Sequence, residues 1–363
     1  MHNPSRSPSE RVASGGEQSG AIAVTALVTA YNHAGFVEHA IESALAQELD
    51  DRYEILLVDD CSTDGTSEIL RKCAADYPEL LRVLLLDQNV GRCASRARGT
   101  REALGTYVAL LDGDDYWTSP HKLRKQIEFL DSHPDCAICF HNATVVYDDG
   151  SHKPHPYHSE NPTQRISGGM PARITTLEEI VVGNFMMTNS VMFRNGLIPE
   201  FPAWYFDAGI DDWALHVLNA EHGDIGYLDE ILSVYRVHAG GGWSNGLSHF
   251  RDPRDLVDLI RVHDAINEHL ALRYDAPIRR RTAYLSARAA GRLARDGQLE
   301  EAAECARRSL SDAPTSNGLR TRLHLEVLGR PRLAFLALAV VSRGFRLEPL
   351  QRGPSGYAGR GLP

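Results

Sequence analysis

An apolar run that ends abruptly in carboxylates constrains this chain more than any other feature. The run Val108–Leu111 is followed by three aspartates within four positions, Asp112, Asp114 and Asp115. Like charges this close repel one another, and they are costly to desolvate without a cation. Mg²⁺ and Mn²⁺ take oxygen ligands, usually one or two carboxylates plus substrate phosphates. The pattern predicts a metal–phosphate site at a strand end, or else an acidic turn, in which Asp and Gly are common.

Two further apolar, β-branched segments also end in polar residues. Residues 23–30 lead into a polar pair, and residues 53–58 lead into Asp59 and Asp60. A helical pattern follows each of the three runs, at about 34–47, 65–77 and 120–133. Strand–helix alternation is typical of a parallel sheet, and open α/β sheets bind ligands at the carboxyl ends of their strands. Three polar strand ends on one edge favour a nucleotide–metal cleft.

An ordered set of four motifs resembles the family 2 glycosyltransferases. The motifs are Thr-Ala-Tyr-Asn at 29–32, Val-Asp-Asp-Cys-Ser-Thr-Asp-Gly at 58–65, Asn-Val-Gly and Ser-Arg-Ala-Arg-Gly within 89–99, and Leu-Asp-Gly-Asp-Asp-Tyr-Trp at 111–117. The resemblance covers residues 22–245 and is strongest over 24–145. It implies an α/β protein of the GT-A fold, a Rossmann-like mixed sheet flanked by helices. It also implies an inverting, metal-dependent enzyme that uses a nucleoside-diphosphate sugar.

The resemblance implies a nucleotide-binding set in the first half of the chain. Asp60 matches a carboxylate that accepts a hydrogen bond from the nucleobase imide, so we expect a UDP- or dTDP-sugar donor. Thr29 and Tyr31 match residues that bracket the base, and Tyr31 either stacks on it or is a core aromatic. Arg96 matches an arginine suited to paired phosphate oxygens. Ala97 stands where the family usually has Asn.

The resemblance also implies a site for Mn²⁺ or Mg²⁺. Asp115 is the expected metal ligand, and Asp114 is the neighbour that contacts the ribose or the metal shell. Asp112 fits the outer position of the motif, with a less defined role. His238 matches a histidine that is a metal ligand or a diphosphate contact, although a lone histidine is often structural. Trp243, in the Gly-rich flap that follows, is assigned to the nucleotide-sugar site.

The general base is expected from an acidic pair in the second half. Asp211 and Asp212 match the family's Glu-Asp pair before a helix, whose second member is the base, so Asp212 is the candidate. Asp211 replaces the usual Glu, and its charge should raise the proton affinity of Asp212. Either aspartate could instead cap the helix, and Asp211 could cap while Asp212 catalyses.

These residues together predict one reaction and leave two alternatives. The expected reaction is a single in-line displacement that moves a sugar, with inversion, to a hydroxyl or amine of a glycan, lipid-linked or small-molecule acceptor. Surface polysaccharide or other glycoconjugate biosynthesis is the expected setting. A nucleotidyltransferase would carry a Gly-rich, basic loop after the first strand, and residues 31–35 lack it. A catalytically inactive nucleotide-binding scaffold is disfavoured because the key aspartates are retained.

Charge and hydropathy limit the partners and the location. The net charge of −10 and the pI near 5.9 argue against nucleic-acid binding, which needs a basic field. No segment approaches the ~20 apolar residues of a membrane span. We expect a cytoplasmic protein. The short apolar segment 333–341 lacks the polar face of an interfacial helix, which favours a buried helix, but its flanking arginines leave open a peripheral contact at the inner face of the plasma membrane.

The chain is expected to contain four regions: a disordered N-terminus at 1–20, the GT-A domain at 21–250, a helical region at 251–347 with a single tetratricopeptide-like hairpin, and a disordered tail at 348–363.

Three details of the second half complete the expectations. Residues 185–193 resemble a core strand behind the acceptor site. Between 148 and 175 the periodicity disappears, and we expect a solvated loop that carries His152, His155 and His158. Cys136 and Cys139 have a CxxC spacing in a strand-like run, and buried, reduced residues are favoured over a zinc site.

Overall fold

The computed structural model of the chain describes residues 21–160, 174–238 and 252–312. These residues divide into two compact units. The first comprises the described residues up to 238 together with Asp258–Ile278, and the second comprises Asp252–Val257 and residues 279–312. Several predictions lie outside the described residues: those for 1–20, 333–341, 348–363 and Trp243.

Within the described residues, ten strands form one mixed sheet. The strands are β1 (Val24–Ala30), β2 (Tyr53–Asp59), β3 (Leu81–Leu85), β4 (Tyr107–Asp112), β5 (Tyr116–Trp117), β6 (Cys136–Tyr147), β7 (His155–Pro156), β8 (Ile174–Thr175), β9 (Met192–Arg194) and β10 (Asp224–Val237). Their order is β3-β2-β1-β4-β9-β6-β10-β5, with β7 beside β6 and β8 beside β10. The helices are α1 (Val37–Leu45), α2 (Thr66–Asp76), α3 (Arg92–Glu102), α4 (Lys122–Ser132), α5 (Tyr157–Glu160), α6 (Leu177–Ile180), α7 (Ala203–Asp207), α8 (Asp211–Ala220), α9 (Pro253–His269), α10 (Asp275–Arg295) and α11 (Leu299–Asp312).

The first half of the sheet is parallel and buried. Strand β1 pairs in parallel with β2 and β4, and β2 pairs in parallel with β3. Every residue of β1 is buried. A strand covered on both faces needs a continuous apolar run rather than an alternating one, which is what residues 24–30 supply. The strand order reverses at β1, and ligands bind in the crevice at such a point.

The second half of the sheet turns the chain back toward that crevice. Strand β10 runs parallel to β6, and its end pairs with β5 in the antiparallel sense, Val234 opposite Tyr116. Because β5 directly follows the Asp112–Asp115 turn, this pairing brings the end of β10 beside the acidic motif.

The mixed sheet flanked by helices that the motifs predict is confirmed, but two local predictions are wrong. Of residues 185–193, only Met192 and Phe193 lie in β9, and Thr188–Ser190 form a 3₁₀ turn. His158 is buried against Phe140 and Tyr227 rather than solvated. Burial lowers the pKa of His158 to about 4.

The second unit contains helical structure. The side chain of Ser309 on α11 donates a hydrogen bond to the carbonyl of Ala283 on α10 at 2.7 Å, so the two helices pack together. Gly297, between them, has a φ of +82°, a conformation that favours glycine. The tetratricopeptide-like character of this pair stays a prediction. None of the helices in the described ranges is both long enough and apolar enough to cross a membrane.

Candidate active site

The polar ends of three strands meet at one edge of the sheet, as the sequence predicts. Thr29 at the end of β1 is paired with Val58 on one side and with Asp112 on the other. Ala30, the last residue of β1, pairs with Asp59. This register places the segments that follow β1, β2 and β4 next to one another. A ligand at this edge therefore meets all three.

The loops after β1 and β2 are tied together beside an accessible aromatic ring. Asn32 adopts a left-handed conformation with φ +57°, accepts a hydrogen bond from the amide of Thr63 at 2.8 Å, and donates its own amide to the Ser62 hydroxyl at 2.9 Å. Tyr31, immediately before it, is 44% exposed. The ring of Tyr31 is therefore available for stacking and is not the core aromatic that its sequence position allowed.

Asp60 is held by the backbone that precedes α3. Its two carboxylate oxygens accept hydrogen bonds from the amides of Val90 and Gly91, at 2.8 and 2.9 Å. Burial raises the pKa of Asp60, and these two amides oppose the rise. Asp60 is 4% exposed, but each carboxylate oxygen has more than one acceptor site, so the carboxylate retains capacity for one further donor.

Arg96 joins the acidic motif to the acidic pair of the second half. It is 4% exposed, its Nη2 donates to Asp112 at 2.6 Å, and its Nε donates to Asp211. The Thr29 hydroxyl also donates to Asp112, at 3.0 Å. The guanidinium thus has two protein carboxylates as partners, in place of the phosphate oxygens that the motif suggested.

Asp115 and Asp114 have different surroundings. Asp115 is 1% exposed, and its carboxylate accepts hydrogen bonds from Asn189 Nδ2 and from the amide of Arg236, both at 2.9 Å. Burial and the adjacent aspartates raise the pKa of Asp115 well above its usual range. This carboxylate fixes the motif to β10 and to the 3₁₀ turn, and it has little surface to offer to a ligand.

Asp114 is more exposed than Asp115, with 16% of its side chain accessible, and it has two histidines beside it. His238 Nε2 lies 3.0 Å from Asp114 Oδ2, and His33 Nε2 lies 3.7 Å from the same oxygen. Burial raises the pKa of Asp114, but the hydrogen bond from His238 and the charge of His33 outweigh it, so the pKa falls. A Cβ at Gly113 would lie 2.9 Å from His33 Nδ1, so glycine permits this approach.

The side chains of Asp114 and His238 suit a divalent cation that also binds a ligand's phosphates. Among the described residues, no group of three or more His, Cys, Asp or Glu side chains is arranged to hold a metal ion. Asp114 and His238 nevertheless place a carboxylate oxygen and an imidazole nitrogen side by side. Mg²⁺ and Mn²⁺ sites often use one or two protein ligands and complete the shell with phosphates and water.

Asp212 combines partial exposure with a high proton affinity. Its oxygens accept hydrogen bonds from Asn184 Nδ2 at 2.9 Å and from the amide of Trp213 at 2.6 Å. Loss of hydration and the charge of Asp211 raise the pKa of Asp212 to about 7. The acidic pair in the sequence predicts a rise of this kind from the charge of Asp211. Asp211 does not cap α8, because Ile210 occupies the N-cap position and the Asp211 side chain pairs with Arg96.

The surroundings of Tyr235 indicate that the carboxylates lie in a single site. Tyr235 on β10 has its pKa raised well above the usual range, first by burial and then by four carboxylates. These are Asp115, Asp114, Asp112 and Asp212. The two acidic motifs are about 100 residues apart in the sequence, yet one side chain lies within electrostatic reach of both.

The sequence analysis missed four residues of this site. Asn184 and Asn189 hold Asp212 and Asp115, His33 faces Asp114, and Tyr235 lies among the carboxylates. His33 directly follows the first motif, which is a signal that could have been used. Asn189 lies in the segment 185–193 that reads as an apolar strand and Asn184 directly precedes it, so only the fold reveals them.

The fold and its carboxylate-lined edge are those of a GT-A type of domain. Residues 25–197 match the model of Glycosyl transferase family 2. The chain therefore carries a family 2 glycosyltransferase domain.

Similar proteins include an uncharacterized protein, a putative glycosyltransferase and a solved structure. The chain is 36% identical to the uncharacterized protein Rv1520 of Mycobacterium tuberculosis over 221 residues, 61% of this chain and 60% of that protein. It is 36% identical over 128 residues to the putative teichuronic acid biosynthesis glycosyltransferase TuaG of Bacillus subtilis, 35% of this chain and 49% of that protein. The match thus spans about 60% of the length of the mycobacterial relative. The crystal structure of S. aureus TarS (residues 1–349) has the same fold, with a TM-score of 0.58 and 18% identity over 88% of each chain.

Proposed function

We propose that this chain transfers a sugar from a UDP- or dTDP-sugar to an acceptor hydroxyl or amine, with inversion. The observation that carries the proposal is the convergence of Asp60, Asp114 and Asp212 with the exposed ring of Tyr31 around one edge of the sheet. Asp60 would accept the imide proton of uracil or thymine, and Tyr31 would stack on the base. TarS has been crystallised with UDP and with UDP-GlcNAc, which supports a uridine donor.

Asp114 and His238 are the residues we assign to a divalent cation, Mn²⁺ or Mg²⁺. When bound, such a cation stabilises the negative charge that the leaving diphosphate gains. Asp115 was the ligand expected from the sequence. We now assign it the positioning of the motif, because its two hydrogen bonds tie the motif to β10 and to the 3₁₀ turn, whereas the more exposed Asp114 lies beside His238. His33 would contact a diphosphate oxygen beside Asp114.

Asp212 is the proposed general base for the acceptor hydroxyl or amine. A base works best when its pKa lies near the working pH, and the carboxylate of Asp211 together with the loss of hydration places Asp212 there. Asn184 orients the carboxylate. Arg96 keeps Asp211 ionised and joins it to Asp112, so that the donor and acceptor halves hold a fixed geometry. Bond cleavage and attack then occur in one displacement, without a covalent intermediate.

We place the reaction in the biosynthesis of a surface polysaccharide or another glycoconjugate, on the cytoplasmic side. The names of similar proteins support this setting, since TuaG is named a putative teichuronic acid biosynthesis glycosyltransferase and ExoO of Rhizobium meliloti a succinoglycan biosynthesis protein. ExoO is 41% identical over 127 residues, 35% of each chain.

Titration calorimetry with nucleotides tests the donor and metal assignments together. UDP or dTDP should bind in the presence of Mn²⁺ and lose most of its affinity when a chelator is added. Asp114→Ala should bind UDP with Mn²⁺ no better than the wild-type protein binds it with chelator. The matched control is Asp87→Ala, which removes an exposed carboxylate that follows β3 at the same edge of the sheet. Equal UDP affinity with and without Mn²⁺ would refute the metal assignment.

A further inference from the structure

Helix α10 is strongly basic in an acidic chain. It contains six arginines and one acidic residue, Asp275, although the chain has a net charge of −10. Four of the arginines are separated by seven, four and three residues. At about 100° per residue these positions fall within a ~60° sector of the helix. We call this set the arginine row: Arg281, Arg288, Arg292 and Arg295.

A tyrosine organises the first half of the arginine row. The ring of Tyr284 lies between Arg281 and Arg288, and each guanidinium carbon is 5.7 Å from the ring centroid. Arg281, Arg288 and Arg292 are partly buried, and Arg295 is exposed. Stacking on an aromatic face limits the freedom of a guanidinium without neutralising its charge. The row is therefore ordered and still positive.

The arginine row has no carboxylate partner in the part of the chain that the structure describes. None of its four guanidiniums forms an ion pair there, and Arg281 Nε and Arg292 Nη1 are buried without a hydrogen-bond acceptor. Burial, and then the neighbouring arginines, lower the pKa of Arg292, which Asp255 and Asp296 partly offset. Cations near a helix C-terminus are favourable, which accounts for Arg292 and Arg295. It does not account for Arg281 and Arg288, which lie further from the end.

We propose that the arginine row binds a linear anionic polymer whose phosphate or carboxylate groups lie along α10. The first and last arginines of the row are 14 positions apart, about 21 Å of helix at ~1.5 Å per residue, which suits several repeating charges. Guanidinium groups form bidentate pairs with both phosphate and carboxylate oxygens. The partial burial of three of the four side chains favours a thin chain over a flat bilayer surface. The inference that this polymer is the sugar acceptor rests on the proposed function. The binding of the polymer to the arginine row does not.

Two soluble probes distinguish the chemical classes: inorganic polyphosphate and polygalacturonate, titrated into the full chain by fluorescence anisotropy or calorimetry. Arg281→Gln/Arg288→Gln should weaken binding of the preferred probe at least tenfold. The matched control is Arg280→Gln/Arg307→Gln, which removes the same charge from two exposed positions outside the row and should change the affinity less than twofold. UDP binding, measured on the same samples, should be unchanged in both variants.

A second measurement needs no variant. In the wild-type protein, the bound probe should protect Arg281 and Arg288 from phenylglyoxal, detected by mass spectrometry, while Arg280 and Arg307 react at the unprotected rate. Equal loss of binding in the two double variants, equal protection of all four arginines, or no binding of either probe would overturn the proposal. So would preferential binding to anionic lipid vesicles over both soluble polymers. Failure of UDP binding with retained polymer binding would instead refute the proposed function alone.

Discussion

Replacing the proposed base should make the protein more stable while it abolishes transfer. In Asp212→Asn the amide keeps the size of the side chain and removes a carboxylate that the fold holds in an unfavourable setting. The pKa of Asp212 rises from its ordinary value of 3.8 to about 7. At about 1.4 kcal/mol per pKa unit this corresponds to ~4 kcal/mol. Because Asp212 is partly exposed, we expect roughly half of that, about 2 kcal/mol.

The sign follows from linkage between proton binding and folding. The folded state binds the Asp212 proton more tightly than the unfolded state does, so the wild-type protein loses stability as the pH rises from about 4 through about 7. Asparagine does not titrate, and the variant escapes that loss. The gain in the free energy of unfolding should therefore be largest near pH 8 and smaller near pH 5.

Urea denaturation of both proteins at pH 5 and pH 8, with the turnover of donor sugar measured in parallel, checks the prediction. Turnover should fall about 10²–10⁴-fold, the usual contribution of a general base. The matched control is Asp211→Asn, one residue away. Asp211 is paired with Arg96 and has a lowered pKa, so its substitution should destabilise the protein by about 3–5 kcal/mol. If Asp212→Asn were less stable than wild type at pH 8, or kept near-wild-type turnover, the assignment would be wrong.

Three further predictions address the donor side. In calorimetry, the wild-type protein should prefer UDP and dTDP over CDP by more than tenfold, and Asp60→Ala should erase that preference. A wild-type preference for CDP or GDP would contradict the role of Asp60. His238→Ala should weaken Mn²⁺ binding in the presence of UDP about tenfold or more, measured by electron paramagnetic resonance, whereas His39→Ala, at a neighbouring histidine that contacts Arg236, should not. Gly113→Ala should lower both the melting temperature and the affinity for UDP, because its Cβ would lie 2.9 Å from His33 and 3.1 Å from the Cβ of Ala30; an unchanged melting temperature would show that the loop adapts.

The sequence predicted the donor half of the fold well, for a physical reason. Buried parallel strands such as β1 and β4 read as continuous apolar runs, and their polar ends mark the ligand-binding edge. The convergence of Thr29, Asp60 and Asp112 followed from these two rules. Helix boundaries were less accurate, since the first helix begins at Val37 rather than near residue 34.

The acceptor half was harder to predict because its contacts join distant segments. Residues 185–193 have the composition of a strand, but Asn189 must reach Asp115, Val234 and Ser233 at once, and a 3₁₀ turn provides that geometry. The salt bridges of Arg96 span up to 115 residues of sequence. No local pattern distinguishes such a structural guanidinium from a phosphate ligand.

The configuration of the sugar released from the donor tests the central claim most directly. A panel of UDP- and dTDP-sugars with α-linked sugars would be incubated with the protein and Mn²⁺, without acceptor, so that water takes the acceptor's place. Proton NMR at early times should show the β-anomer as the first product from at least one donor, with UDP or dTDP formed in equal amount, and no release by Asp212→Asn. Initial release of the α-anomer, or release that persists in Asp212→Asn, would contradict a single displacement assisted by Asp212.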